Sequence, residues 1–233
     1  MKEIKFLKSK FCIGYQMSGV GELALRSCDG LAAPEFCSGL AIISKYPFKD
    51  IEFLSFTDHG DFFWDYEYFL RRGAGRVRIE PSPGHTVDVF ITSFASIDYN
   101  YWYRESQSKD LVAMVSQSDA DHVIVAGDFN VDPRDNENTY KTLKTQLTDA
   151  VEEFYKNDSS KYLDPALATL GNAKNTYSSK GQHPVVYDYI WYKTNKNNGI
   201  SVADFQVPIL RTKREEISFS DHEAVTAKFQ LSK

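Results

Sequence analysis

Apolar and polar positions alternate along this chain mostly in short runs bounded by turn residues, and at helical spacing in three stretches. The strongest element is residues 122–130, HVIVAGDFN. Its β-branched apolar run stops at Gly127, as a buried strand does, and a carboxylate (Asp128) and a carboxamide (Asn130) lie just beyond. Residues 40–43 are an apolar strand candidate closed by Lys45-Tyr46-Pro47. Residues 76–80 alternate basic and apolar, and 86–92 return after the turn Pro81-Ser82-Pro83-Gly84, which predicts a hairpin. Further strands are predicted at 185–192, 202–207 and 223–229, with a polar turn at 193–198. Helical spacing runs over 103–118, with Leu111, Val112 and Val115 on one face, and over 139–154, interrupted by a candidate cap at Thr148. Residues 2–10 suit a short helix with Ile4, Phe6 and Leu7 on one side. Residues 14–39 are glycine-punctuated, 53–69 are aromatic and acidic around a turn at His59-Gly60-Asp61, and 164–182 read as loop. Strands dominate with helices between some of them, so the expected fold is a layered α/β or α+β sandwich forming one domain over residues 1–233.

Composition narrows the function classes. The charge of −5 argues against broad, non-specific nucleic-acid binding, which depends on cations that neutralise phosphates, though a locally basic groove remains compatible with it. No apolar run reaches membrane-spanning length, and MKEIKFLKSK is too charged for a signal peptide. The three cysteines, Cys12, Cys28 and Cys37, contain no C-x-x-C spacing, which argues against zinc. Cys28 and Cys37 bracket a turn-rich loop whose spacing suits a small disulfide and free thiols equally. That loop and the Asn157-Asp158-Ser159 sequon tilt the compartment slightly towards the extracellular, with the cytoplasm still open.

Candidate chemistry sits in three segments, each next to an apolar strand. In an extended segment Asp128 and Asn130 would point the same way, an anion beside a neutral donor and acceptor, suited to holding water and a phosphoryl oxygen near a divalent cation. Taken alone, GDFN fits a strand followed by an Asp/Asn turn equally well. Asp188 lies in Val186-Tyr187-Asp188-Tyr189-Ile190, where burial costs several kcal/mol, on the order of a lost polar partner, unless something pairs with it. Asp221 and His222 are adjacent in Ser220-Asp221-His222-Glu223-Ala224, so their side chains would point to opposite sides, one towards a metal and one towards substrate.

The order GDFN, YDYI, SDHEA resembles the endonuclease/exonuclease/phosphatase superfamily, the deoxyribonuclease-like fold, over roughly residue 39 to the end. The resemblance implies a four-layered α/β/β/α sandwich of two mixed sheets and a phosphoester hydrolase that uses a divalent cation, usually Mg2+. Within the superfamily, Ser38-Gly39-Leu40-Ala41-Ile42-Ile43-Ser44-Lys45-Tyr46-Pro47 and the closing Ser220-Asp221-His222-Glu223-Ala224 look like the neutral sphingomyelinase branch, which cleaves sphingomyelin to ceramide and phosphocholine. Carried over by position, Asp128 would orient or deprotonate the attacking water and Asn130 would hold a phosphate oxygen. Asp221 would contact the metal or its water shell. His222 would contact the scissile phosphate, and Asp188 would orient His222 and favour its charged form. Glu67 and Arg72, just before Gly73, occupy the place of a gating Asp–Lys pair, with an ordinary exposed charge pair as the simpler account. The implied partner is a phosphodiester, foremost a phospholipid at a membrane surface; Phe62, Phe63, Trp64, Tyr66, Tyr68 and Phe69 would touch lipid or fill a core.

The chain departs from the family in two places. The family's opening strands, with an Asn and the principal metal-binding Glu, have no match: Glu3 sits in a charged amphipathic stretch and Glu22 in a glycine-rich one, as in an N-terminally shortened chain. Where relatives carry Thr-His at the end of a strand, this chain has Thr92-Ser93, and serine cannot carry positive charge. Losing such a charged donor costs on the order of a hundredfold in rate. The expectation is therefore a phosphodiesterase with weak or no turnover. The alternatives are a nuclease of the same fold and a catalytically inactive lipid- or protein-binding homologue.

Overall fold

The structure is a computed structural model that describes residues 22–25, 39–58, 60, 72–96, 101–158, 161, 164–196 and 199–231. The strands are β1 (Glu22–Leu25), β2 (Ala41–Ser44), β3 (Asp50–Ser55), β4 (Gly73–Ser82), β5 (His85–Ser93), β6 (His122–Asp128), β7 (Thr148–Asp149), β8 (Asp188–Thr194), β9 (Ile200–Gln206) and β10 (Thr226–Leu231). The helices are α1 (Tyr101–Ser116), α2 (Thr139–Lys144) and α3 (Ala150–Phe154), with a 3-10 turn at Pro165–Leu167. The expected helix at 2–10, the three cysteines, Glu67 and the aromatic run at 62–69 lie outside the described residues.

Six strands form one mixed sheet in the order β3-β4-β5-β6-β8-β7, in which only β5 and β6 run parallel. The predicted hairpin is β4–β5, and its two-residue turn at Pro83-Gly84 has Gly84 at φ 74, a left-handed conformation that glycine adopts at little cost. Alternation along β6 sorts its side chains between two cores. Val123 and Val125 join Phe90, Tyr189 and Trp191 under Leu111 and Val115 of α1 and Leu143 of α2. Ile124 and Ala126 join Val89 and Ile190 against Phe205 of β9 and Ala227 and Phe229 of β10. The fold is thus an α+β sandwich: α1 and α2 on one face of the large sheet, and on the other α3, the antiparallel β9–β10 ladder and Ile42 of β2. β1–β2 forms another antiparallel pair.

Three sequence expectations change. β3, which runs from Asp50 into the start of the aromatic and acidic stretch 53–69, was not among the expected strands; it is the sheet's edge, exposed along most of its length. Residues 139–154 are two helices split by β7, and the cap of the second is Asp149, whose carboxylate accepts from Val151 N–H, rather than Thr148. The face of α1 turned inwards carries Arg104, Gln107 and Ser108 as well as Leu111 and Val115. The polar members are satisfied: Arg104 pairs with buried Glu137 at 2.7 Å, and Gln107 accepts from Ala95 N–H and donates to Asp58 O.

Candidate active site

Ser93, Asp128 and Asp188 stand side by side across three neighbouring strands, because Ser93 pairs with Asp128 in the β5–β6 register and Asp128 with Asp188 in the β6–β8 register. Parity fixes their direction. Ser93 continues the Val89–Ile91 series, Asp128 the Ile124–Ala126 series, and Asp188 precedes Ile190, so all three belong to the face that looks towards β9–β10. The close approach of β5 to β6 at this end needs Gly127: a Cβ there would lie 2.0 Å from the carbonyl oxygen of Thr92.

The loop after β6 is anchored from the opposite face. Phe129 is fully buried among Phe94, Tyr189 and Trp191, edge-to-face with Phe94 at 4.9 Å between ring centres. Backbone bonds from Phe94 N–H to Asp128 O and from Phe129 N–H to Tyr187 O, both 2.8 Å, tie the loop to its neighbours. Asp132 accepts from Val186 N–H and is paired with Arg134. Burial pushes the Asp132 carboxyl up, but the Arg134 and Val186 hydrogen bonds outweigh it and hold the carboxyl below its ordinary range.

Asp128 and Asn130 meet, though not as neighbours along an extended segment. The strand ends at Asp128, and Asn130 turns back with φ 49, a conformation asparagine tolerates better than most residues. Its N–H donates to Asp128 Oδ1 at 3.1 Å and its Nδ2 to Phe94 O at 3.0 Å. The Asx turn that the sequence offered as the simpler account of GDFN is therefore part of the site.

His222 reaches the same point from a different segment. Its Nδ1 lies 2.7 Å from Asp188 Oδ2, and one ligand atom from each of Asp128, Asp188 and His222 lies within 4.8 Å of the others. Asp128 and Asp188 are 9% and 5% exposed, so the cluster is shielded but open at one side through His222. The oxygens of this donor set suit a hard divalent cation, whereas the imidazole is already engaged by Asp188. Asp221 is exposed beside His222, outside that group, with Ser220 Oγ at 3.1 Å from its Oδ1. Arg72 comes to the row from the start of β4 and donates from Nη1 to Ser93 Oγ at 2.7 Å. A guanidinium thus stands where the serine by itself brings no charge.

Two buried residues that the sequence did not single out complete the frame. Thr169 accepts from the N–H groups of Tyr187 and Asp188, and Asn175 Nδ2 donates to Ser220 O and to Glu223 Oε1. Both come from the segment read as loop, where no spacing marks these two.

The sequence profile of the Endonuclease/Exonuclease/phosphatase family matches residues 31–222, which span both carboxylates, the histidine and the strands that carry them. The chain belongs to this family. It is 28% identical over 216 residues to a Drosophila melanogaster protein named "Putative neutral sphingomyelinase", covering 84% of this chain and 45% of that protein. The chain therefore spans less than half the length of this curated relative. Among solved structures, D. rerio TDP2 complexed with a single-strand DNA product superposes with a TM-score of 0.63 at 16% identity, over 78% of this chain and 68% of that one. Beta toxin from Staphylococcus aureus, a variant with bound magnesium ions, gives 0.60 at 22% identity, over 84% and 69%. At such identities the superpositions show a shared fold.

Proposed function

We propose that this protein is a magnesium-dependent phosphodiesterase of the neutral sphingomyelinase type, acting on a membrane-surface phospholipid to release phosphocholine from sphingomyelin. The observation that carries the proposal is the convergence of Asp128, Asp188 and His222, from three separate segments, on one shielded cluster at the end of the large sheet. Asp128 is the acceptor for a proton of the attacking water. Asn130, held next to Asp128 by its own N–H, offers its carboxamide to a phosphate oxygen. Asp188 fixes the His222 ring through Nδ1 and favours the imidazolium, which places positive charge against the phosphoryl group as its charge develops. Arg72, docked on Ser93, adds a second cationic donor on the opposite side of Asp128. Asp221 would hold magnesium directly or through its water shell, and the ion would supply Lewis-acid stabilisation of the phosphate oxygens.

Sphingomyelin is favoured over nucleic acid by the similarity to the Drosophila protein and by the chain's acidic balance. The test is side-by-side assay of the purified protein on sphingomyelin vesicles and on plasmid DNA, with magnesium and then with a chelator. Magnesium-dependent phosphocholine release that is lost in His222→Ala and Asp128→Asn supports the proposal. DNA nicking without phosphocholine release would replace it with a nuclease, and vesicle binding without turnover on either substrate would make the chain an inactive binding homologue.

A further inference from the structure

The Asp188–His222 pair joins two segments 34 residues apart in sequence. Asp188 opens β8, and the His222 segment lies before β10, outside the large sheet. Neither position is secured by the regular ladder alone, since the β6–β8 register ends at Asp188 itself. A side chain in another segment bridges them. Thr169 is fully buried, and its Oγ1 accepts from Tyr187 N–H at 2.9 Å and from Asp188 N–H at 3.1 Å. Its carbonyl oxygen accepts from Glu223 N–H at 2.7 Å, one residue beyond His222. The next residue, Leu170, is bridged to Val185 on one side and to His222 on the other. Thr169 also lines a small cavity behind Asp188, together with Val186, Tyr189 and Phe205. One residue thus takes backbone hydrogen bonds from both halves of the pair, the Asp188 half through its hydroxyl and the His222 half through its carbonyl.

We propose that Thr169 is the positioning residue of the Asp188–His222 pair. Its hydroxyl holds the start of β8 at the height where Asp188 Oδ2 meets His222 Nδ1. An apolar isostere keeps the volume and the Glu223 bond but offers no acceptor to the Tyr187 and Asp188 N–H groups, and buried donors seek replacement partners by local movement. Displacement of a positioned catalytic group by about 1 Å costs on the order of a hundredfold in rate. The kinetic part of this assignment rests on the phosphodiesterase proposal above; the geometric part does not.

The experiment compares Thr169→Val and Thr169→Ser in the full chain, with two readouts. The first is the downfield proton resonance of the His222 Nδ1–H held by a carboxylate, identified by its loss in Asp188→Asn. It should persist in Thr169→Ser and broaden or vanish in Thr169→Val at a temperature where thermal melts show both variants folded. The second is turnover of sphingomyelin vesicles: Thr169→Val should lower kcat by roughly tenfold to a hundredfold with little change in KM, and should cost little more in an Asp188→Asn background. A resonance unchanged in Thr169→Val overturns the inference, as does equal kcat in Thr169→Val and wild type. If wild type turns over no substrate while the resonance behaves as expected, the functional proposal fails and the positioning role stands.

Discussion

Replacing Asp149 by asparagine should remove a specific pH dependence of folding. Asp149 ends β7 and caps α3, is 1% exposed, and accepts from Tyr140 Oη–H at 2.8 Å and from Val151 N–H at 3.0 Å. Burial pushes its carboxyl up to about 7 from an ordinary 3.8, against the opposing pull of these two hydrogen bonds. Below about 4 the group is protonated in both folded and unfolded chains and contributes no slope. Between about 4 and about 7 the unfolded chain releases the proton while the folded chain retains it, so stability falls as pH rises, by about 1.4 kcal/mol per pH unit. Above about 7 both forms are ionised and the loss is complete, on the order of 4 kcal/mol. Asparagine is an equally good cap, keeping an acceptor for Val151 N–H, and does not titrate. Urea unfolding near pH 5 and near pH 8 measures the effect as a difference between the two proteins, in which other titrating groups cancel. Relative to Asp149→Asn, wild type should lose roughly 3 kcal/mol between these conditions. Parallel pH profiles for the two proteins would refute a carboxyl raised by burial at this position.

Two other substitutions probe the site and its frame. Gly127→Ala sets a methyl carbon 2.0 Å from Thr92 O, so β5 and β6 must part where Ser93 and Asp128 adjoin; a loss of roughly 3 kcal/mol or more in urea unfolding is expected, with wild-type stability as the contrary result. Arg72→Ala should lower kcat/KM on vesicles about a hundredfold and Ser93→Ala less than about tenfold. Arg72→Lys should recover only part of the loss, because a lysine lacks the planar fork; equal rates for all three would remove Arg72 from the site.

The sequence was most legible where one face of an element decides its fate. The alternation in β4, the continuous apolar run of β6 and the stripe on α1 mark buried surfaces, and the hairpin turn carries its own glycine. Asp128, Asp188 and His222 were legible because each stands out chemically beside an apolar strand. Less legible was whatever depends on partners far along the chain. Arg104 looks like a surface charge until Glu137, 33 residues away, is folded against it. Thr169 is one threonine among many until the N–H groups of Tyr187 and Asp188 arrive at its hydroxyl. Asn130 meets Asp128 by a different local geometry from the expected one, because period-two reasoning assumes that the strand continues, and the left-handed turn at φ 49 ends it.

Some of the bonds that hold the site together are main-chain ones, and this bears on the serine at position 93. Phe94 N–H binds Asp128 O, Phe129 N–H binds Tyr187 O, and Glu223 N–H binds Thr169 O. None of these uses the side chain of Ser93, whose hydroxyl instead receives Arg72. A change of side chain at position 93 can therefore alter the charge offered to a phosphate while leaving Asp128, Asp188 and His222 in place. By contrast, Gly127 and Thr169 carry no chemistry that a phosphate would meet, yet each is fixed by a contact that one added or missing atom group would break. Substitutions at this sheet end should therefore separate in assay: Ser93 and Arg72 in turnover without a stability change, Thr169 in turnover through the position of Asp188, and Gly127 in stability first.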